Sequence, residues 1–184
     1  MLVRAAYLVV CWGAWLYPFL FRAPHNQKRQ SITLAGPTHA GLFLECLAIF
    51  IAFVFRIPFD SPPGAIRIGG SGILAIVAVI LSWTSVRHLG RQFRVHAGLY
   101  HDHELVRTGP YAIVRHPIYS SLLAILGSTL FLLTPWGWAV VALILFVAGT
   151  EIRVRTEDRL LASRFGTEFT AYQRAVSAYI PFVR

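Results

Sequence analysis

Long apolar blocks, cut by short polar or proline-containing breaks, set the pattern of this chain. Leu2 to Phe21 is apolar except for Arg4 near its start, His39 to Phe55 carries one acid, Glu45, and Gly70 to Val86 carries no charge. Tyr119 to Leu133 and Trp136 to Gly149 are also uncharged and are separated only by Thr134-Pro135. A bilayer core needs about 20 apolar residues per helical span, so each of the first three blocks predicts one span. The last two are short taken singly and too long for one helix taken together, and Pro135 sits where a turn is needed. They predict a helical hairpin whose second arm runs past Gly149 into the charged stretch beyond. The expectation is an all-α membrane protein with five transmembrane helices, the last two a hairpin, and cytoplasmic C-terminal helices. A cleaved signal peptide is the rival reading of the first block, but Tyr17, Pro18, Phe19 and Phe21 stand where a small-residue cleavage site would be needed.

Composition agrees with the pattern. The 184 residues are 56% hydrophobic and 14% charged, with a mean hydropathy of +0.59, against roughly 25% charged residues in soluble domains. The formal charge of +9 would suggest nucleic acid on a soluble protein. On a membrane protein it asks which loops hold the cations. With five spans and the N-terminus outside, Arg22, Lys28, Arg29, Arg87, Arg91, Arg94, Arg107, Arg115, Arg153, Arg155, Arg159, Arg164, Arg174 and Arg184 all fall inside, and only Arg4, Arg56 and Arg67 remain outside. That asymmetry predicts an outside N-terminus and a cytoplasmic C-terminus, and removes the need for a nucleic-acid partner. Cys11 and Cys46 lie in different spans and read as buried apolar thiols. No metal site is expected: there is no CxxC, and the spacing of His96, His101 and His103 fits no zinc pattern. Gly69-Gly70-Ser71-Gly72 follows no strand and opens a span, so it is no dinucleotide loop.

Polar residues become dense after about Arg87. Residues 87–116 hold five Arg and five of the seven His, and residues 151–168 hold four acids and four Arg. Both stretches fall on the predicted inside face and bracket the hairpin. The fifth helix is expected to leave the membrane, stop at Gly166 and give way to a second helix capped by Thr167. There Phe169, Tyr172, Val176 and Tyr179 fall at helical spacing and Pro181 ends the run.

Two constellations carry candidate chemistry. In the first, Gly109-Pro110 marks a turn, and Pro117 suits the first turn of the next helix. Arg115 and His116 therefore precede a helix N-terminus, which suits an anionic group; the plainer reading is a lipid-facing Arg and a capping His. In the second, Glu151, Arg153, Arg155, Glu157 and Asp158 share one helix. Pairs four apart there read either as surface ion pairs, each worth about 0.3–0.5 kcal/mol, or as a place for a cationic ligand group beside the adjacent acids Glu157 and Asp158.

The run His103-x-Leu105-Val106-x-x-Gly109-Pro110-Tyr111-x-x-Val114-Arg115-His116-Pro117-x-Tyr119 resembles the signature of the isoprenylcysteine carboxyl methyltransferase family, which has prokaryotic members and is similar to the phospholipid N-methyltransferases. Beyond the hairpin, Arg153-x-x-x-Glu157-Asp158-x-x-Leu161-x-x-x-Phe165-Gly166-x-x-Phe169-x-x-Tyr172 also resembles the family pattern. The likeness covers residues from about 96 onward. It implies one integral membrane methyltransferase domain over 1–184, with three scaffold spans in 1–86 and a cofactor-binding loop, hairpin and C-terminal helices in 87–184. It implies S-adenosyl-L-methionine as cofactor and a lipophilic or prenylated substrate, methylated at the cytoplasmic face on a carboxylate or else an amine or thiol. The cofactor residues it implies are His103, Leu105, Val106, Gly109, Tyr111, Arg115, His116, Tyr119, Glu157 and Asp158. Arg153 would recognise an anionic substrate group, with an ion pair to Glu157 as the alternative; His116 would line the pocket, with assistance to a proton-bearing nucleophile as the alternative, and no residue is assigned as general base. Two departures stand out: Ser121 occupies a place where the family often has Gly, and the paired acid is Glu157-Asp158 rather than Glu-Glu. The competing readings are a nicotinamide-dependent reductase of the sterol-reductase type, which is similar in its C-terminal half, and a non-enzymatic small transporter or scaffold.

The topology is open to direct test. A reporter fused to the C-terminus is expected to read cytoplasmic, and a non-cytoplasmic reading would overturn the charge assignment.

Overall fold

A computed structural model describes residues 2–21, 31–33, 36–58, 61–92, 98–100 and 104–183. Six helices account for most of them: α1 (Leu2–Phe21), α2 (Gly36–Val54), α3 (Ala65–Leu89), α4 (Pro117–Leu133), α5 (Trp136–Phe165) and α6 (Thr167–Ala175). Strands β1 (Ser31–Thr33) and β2 (Gly98–Tyr100) form a short antiparallel ladder that pairs Ile32 with Leu99. Helices α1, α2, α3 and α5 are long and apolar enough to cross a membrane; α4, at 17 residues, is apolar and shorter.

The helices pair in an order that the chain does not announce. α5 packs along α2 and α4 along α3, while α4 and α5, joined by Thr134-Pro135, touch each other sparsely. α4 lies innermost, with eleven buried residues and α1, α2 and α3 around it. Its sequence suits that place, because the polar positions face partners. Trp12 Nε1 donates to Thr129 Oγ1 at 3.1 Å, Trp15 Nε1 to Ser121 Oγ at 3.0 Å, and Ser71 and Ser128 share a hydrogen bond of 3.0 Å. In a medium without water such side-chain bonds between helices hold polar groups that would otherwise be unsatisfied. Ser121, the residue in place of glycine, thus meets α1.

α2 and α5 meet at two glycines. A Cβ on Gly149 would lie 2.5 Å from the Gly41 carbonyl oxygen, and one on Gly41 would lie 2.6 Å from that of Gly149. Small residues at such a crossing let two backbones approach closely. Phe146, Ala142 and Ala139 continue the seam against Ala48, Ile51 and Ala52.

The two ends of the bundle differ. At one, Arg4 binds the carbonyls of Pro58 and Ser61, and Arg67 binds those of Phe131 and Thr134 at 3.0 and 2.9 Å. The Arg67 guanidinium also lies 4.3 Å from the centre of a Trp136 ring. At the other end stand the residues before α4, the last part of α5, and α6. With 30 residues, α5 is about 45 Å long at 1.5 Å per residue, more than a hydrocarbon core of about 30 Å requires. Its last turns carry Arg153, Glu157 and Asp158 beyond the apolar run.

The boundaries correct some expectations. α3 runs from Ala65 to Leu89, outside the block read from Gly70 to Val86. Gly166, at φ 52°, stops α5 as expected but also caps α6, with Thr167 as its first helical residue. α6 ends at Ala175, so Val176 and Tyr179 do not extend its face; Val176 is extended and Ser177 pairs with Val114.

The glycine crossing yields a test. Gly149→Ala should lower the melting temperature in detergent, by the roughly 1–3 kcal/mol typical of an overpacked contact. Gly137→Ala, on the same helix but facing open space, should leave it unchanged or raised. Equal behaviour of the two variants would contradict the close approach.

Candidate active site

The chain returns from its C-terminus to hold the start of α4. Ser177 and Ala178 accept hydrogen bonds from the backbone N–H groups of Arg115 and His116, both at 2.8 Å. Pro117 begins α4 and His116 is its N-cap residue. The Arg115 guanidinium turns toward the end of α6, where it donates to the carbonyls of Gln173, at 3.1 Å, and Val176. Last-turn carbonyls have no partner within a helix, and Arg115 satisfies that of Gln173 and the carbonyl of Val176, where the chain turns extended.

Asp158 on α5 gathers these groups. Its Oδ2 accepts from Arg115 Nη2 at 3.0 Å and from Gln173 Nε2 at 3.2 Å, and its Oδ1 lies 2.8 Å from His116 Nε2. The carboxylate is 7% exposed and the Arg115 side chain 2%. Glu157, 26% exposed, accepts from the Tyr119 hydroxyl at 2.5 Å and lies 3.3 Å from His116 Nδ1. Both His116 nitrogens thus face carboxylates. Only the doubly protonated ring donates from both nitrogens. Burial opposes that charge, but the hydrogen bonds and charges of Asp158 and Glu157 outweigh it and push the His116 pKa up to about 9.

Tyrosines line the neighbouring space. Tyr111 lies in a short 3-10 turn, Gly109–Ala112, and its carbonyl accepts from the Tyr172 hydroxyl at 2.5 Å. The Tyr111 hydroxyl itself is buried and has no partner among the described residues. Burial, the Glu157 charge and the Tyr172 hydroxyl raise its pKa, so it stays a phenol. Burial likewise pushes Tyr172 up to about 12, against the lowering influence of Arg115 and Arg107. Gly109 has φ 61°, and a Cβ there would strike the His88 ring, so this turn requires glycine. Beside Asp158 a cleft of about 430 Å³ is lined by Arg155, Asp158, Arg159, Ala162 and Gln173.

The fold thus brings together Tyr111, Arg115, His116, Tyr119, Glu157 and Asp158. Leu105 and Val106 lie half-buried in the run leading to Gly109. His103 lies outside the described residues, as do Arg22, Lys28, Arg29, Arg94, His96, His101 and Arg184. Asp158 is engaged by Arg115, His116 and Gln173, so it is neither half of a surface ion pair nor free for a cationic ligand group in this structure. Glu151 and Arg155 form the expected pair at 2.8 Å, whereas Arg153 pairs with Glu45 of α2 at 2.6 Å rather than with Glu157. The Arg153 guanidinium lies 4.9 Å from the centre of the Tyr119 ring, which joins it to the same cluster. Sequence reasoning missed Glu45, Gln173 and the tyrosine bond from Tyr172. An acid inside an otherwise apolar span was the available signal for Glu45.

Comparison with known proteins fits this region. Residues 71–163, just over half the chain, match the sequence profile of the isoprenylcysteine carboxyl methyltransferase (ICMT) family. The chain is 34% identical over 83 residues to a protein-S-isoprenylcysteine O-methyltransferase of Saccharomyces cerevisiae, covering 45% of this chain and 34% of that protein. It is 41% identical over 81 residues to the cobalt-zinc-cadmium resistance protein CzcN of Cupriavidus metallidurans, covering 44% and 37%. Against a protein-S-isoprenylcysteine O-methyltransferase of Schizosaccharomyces pombe the identity is 28% over 154 residues, covering 82% and 62%. The chain thus spans about a third of the length of the first two relatives and three-fifths of the third.

The raised His116 pKa fixes the sign of a pH effect. Its contribution to stability is complete below the ordinary 6.5 and is lost as pH rises through about 9. The melting temperature in detergent should therefore fall from roughly pH 7 to 10, and fall less in His116→Gln. Parallel decline in both proteins would contradict the doubly bonded imidazolium.

Proposed function

The chain belongs to the isoprenylcysteine carboxyl methyltransferase family, and on that premise we propose that it transfers a methyl group from S-adenosyl-L-methionine to the carboxylate of a prenylated or similarly lipophilic substrate. The observation that carries this reading is the cluster of Glu157, His116 and the two tyrosines. A cation-bearing cofactor suits a carboxylate held in place with aromatic faces beside it. Glu157 is such a carboxylate, fixed by Tyr119 and His116, and the buried, unpartnered Tyr111 hydroxyl offers a donor to a ligand oxygen or nitrogen. The residues present therefore fit the cofactor. Glu157, Tyr111 and Tyr119 would hold its polar groups, and the chain at Leu105, Val106 and Gly109 its flat ring. Arg115, His116 and Asp158 support these residues through the bonds already described, and His103 completes the proposed set.

When bound, the cofactor supplies an activated methyl group, and the protein's part is binding and alignment. His116, charged near neutral pH and engaged at both nitrogens, has no lone pair with which to take up a proton. A carboxylate acceptor needs no such base, because it is ionised near neutral pH; an amine would. Carboxylates and cations in the cluster are equal in number: Glu45, Glu157 and Asp158 against Arg115, His116 and Arg153. A cationic cofactor and an anionic acceptor together keep that balance. Arg153 is the residue we assign to the acceptor's anionic group.

The same reading makes α4 the fourth of five spans and, with α5, a hairpin whose flanking segments carry the site. Residues 1–86 supply the scaffold and 87–184 the cofactor and acceptor groups, in one domain. The N-terminus lies outside, and the C-terminus and the site face the cytoplasm, as the cation distribution supports.

Purified protein given methyl-labelled S-adenosyl-L-methionine and N-acetyl-S-farnesylcysteine should form a base-labile methyl ester. Glu157→Ala should weaken cofactor affinity at least about tenfold, the cost of losing a charge-assisted contact. Label appearing only on added phosphatidylethanolamine would exclude the carboxylate acceptor. Tight NADPH binding without S-adenosyl-L-methionine binding would exclude methyl transfer altogether.

A further inference from the structure

Glu45 is the one acid in the span of α2, and its side chain is 1% exposed. Ionisable groups at such places are costly and mark function more often than support. Both of its oxygens are engaged by α5. Thr150 Oγ1 donates to Oε1 at 2.9 Å, and Arg153 Nη1 donates to Oε2 at 2.6 Å. Those two donors lie three residues apart, on one face of α5. The glycine crossing makes the contact feasible: a Cβ on Gly41, one turn before Glu45, would lie 2.6 Å from Arg153 Cγ, so the arginine stem runs over Gly41.

A buried ion pair is by itself a weak stabiliser, since desolvation offsets most of the attraction. An apolar pair of the same volume would hold α2 to α5 as well. Arg153 also remains incompletely used. Among the described residues its buried Nε has no partner, and an unsatisfied buried donor costs about 1–3 kcal/mol. The guanidinium lies between Glu45, which accepts from Nη1, and the Tyr119 ring, and Tyr119 in turn binds Glu157. The free N–H thus belongs to a side chain held in one orientation next to the proposed cofactor residues.

We propose that Glu45 is a positioning residue for the methyl acceptor: it holds one end of the Arg153 guanidinium so that the unpartnered Nε–H side receives the acceptor's carboxylate. α2 thereby contributes to the site rather than serving only as scaffold. The inference rests on the methyltransferase reading above. Glu45 touches neither cofactor nor acceptor, so its loss should disturb alignment more than binding.

Glu45→Gln retains size and one acceptor oxygen, for which Thr150 and Arg153 then compete. With N-acetyl-S-farnesylcysteine as acceptor, kcat should fall tenfold or more, while KM for that acid and the Kd for S-adenosyl-L-methionine stay within threefold. A second readout needs no turnover: adding the acid should move the Arg153 Nε–H nitrogen-15 resonance downfield in the wild type but not in Glu45→Gln. Unchanged kcat, a matching loss of cofactor affinity, or an Arg153 signal that responds alike in both proteins would overturn the proposal. If Glu45→Gln does not fold, Glu45→Asp keeps the charge but withdraws it by one methylene, and an undiminished kcat there would overturn it too. A wild type that transfers no methyl would remove the functional reading itself, and this inference with it. A wild type that transfers it while Glu45→Gln is unaffected would remove only the role of Glu45.

Discussion

The buried carboxylate of Asp158 organises the polar end of this protein. It stands on the part of α5 that leaves the apolar run, and its partners come from two distant stretches: Arg115 and His116 from before α4, and Gln173 from α6. Removing one member of a buried pair typically costs about 3–5 kcal/mol, because the other charge is left without compensation. Against a total stability of about 5–15 kcal/mol, that single residue decides whether the three segments remain together. Its neighbour Glu157 is the more exposed of the two acids. The adjacent acids thus differ in burial and in partners, though in sequence they look alike.

Much of the membrane part was legible from hydrophobic pattern. Apolar runs and breaks located the helices to within a few residues, and Pro117, Pro135 and Gly166 marked starts and stops for local steric reasons. What pattern could not supply was partnership. Arg115 reads in sequence as a cation before a helix start; its role depends on carbonyls of Gln173 and Val176, some sixty positions away. Where α6 ends at Ala175, the arginine satisfies carbonyls at the helix end and the following backbone pairs with Val114. Helical spacing of Phe169, Tyr172, Val176 and Tyr179 carried no trace of that. Arg153 illustrates the converse. A partner four residues along its own helix was the local expectation, but the acid across the glycine crossing lies closer and is buried.

The apolar part also bears on the site. α4 is enclosed by other helices and fixed by serine, threonine and tryptophan bonds, so the groups at its start rest on a helix with little freedom to shift. α2 and α5, brought close at Gly41 and Gly149, set the distance between Glu45 and Arg153. Rigid supports of this kind suit the proposed methyl transfer, in which alignment supplies much of the rate.

The segments around Asp158 are proposed to form the pocket for S-adenosyl-L-methionine. Hydrogen exchange measured with and without saturating S-adenosylhomocysteine, the demethylated product, tests it most directly. Protection is expected to concentrate in residues 104–119 and 151–180, with α1 and the body of α3 unchanged. Saturation that leaves those two stretches unprotected, or protection confined to the first three helices, would contradict it.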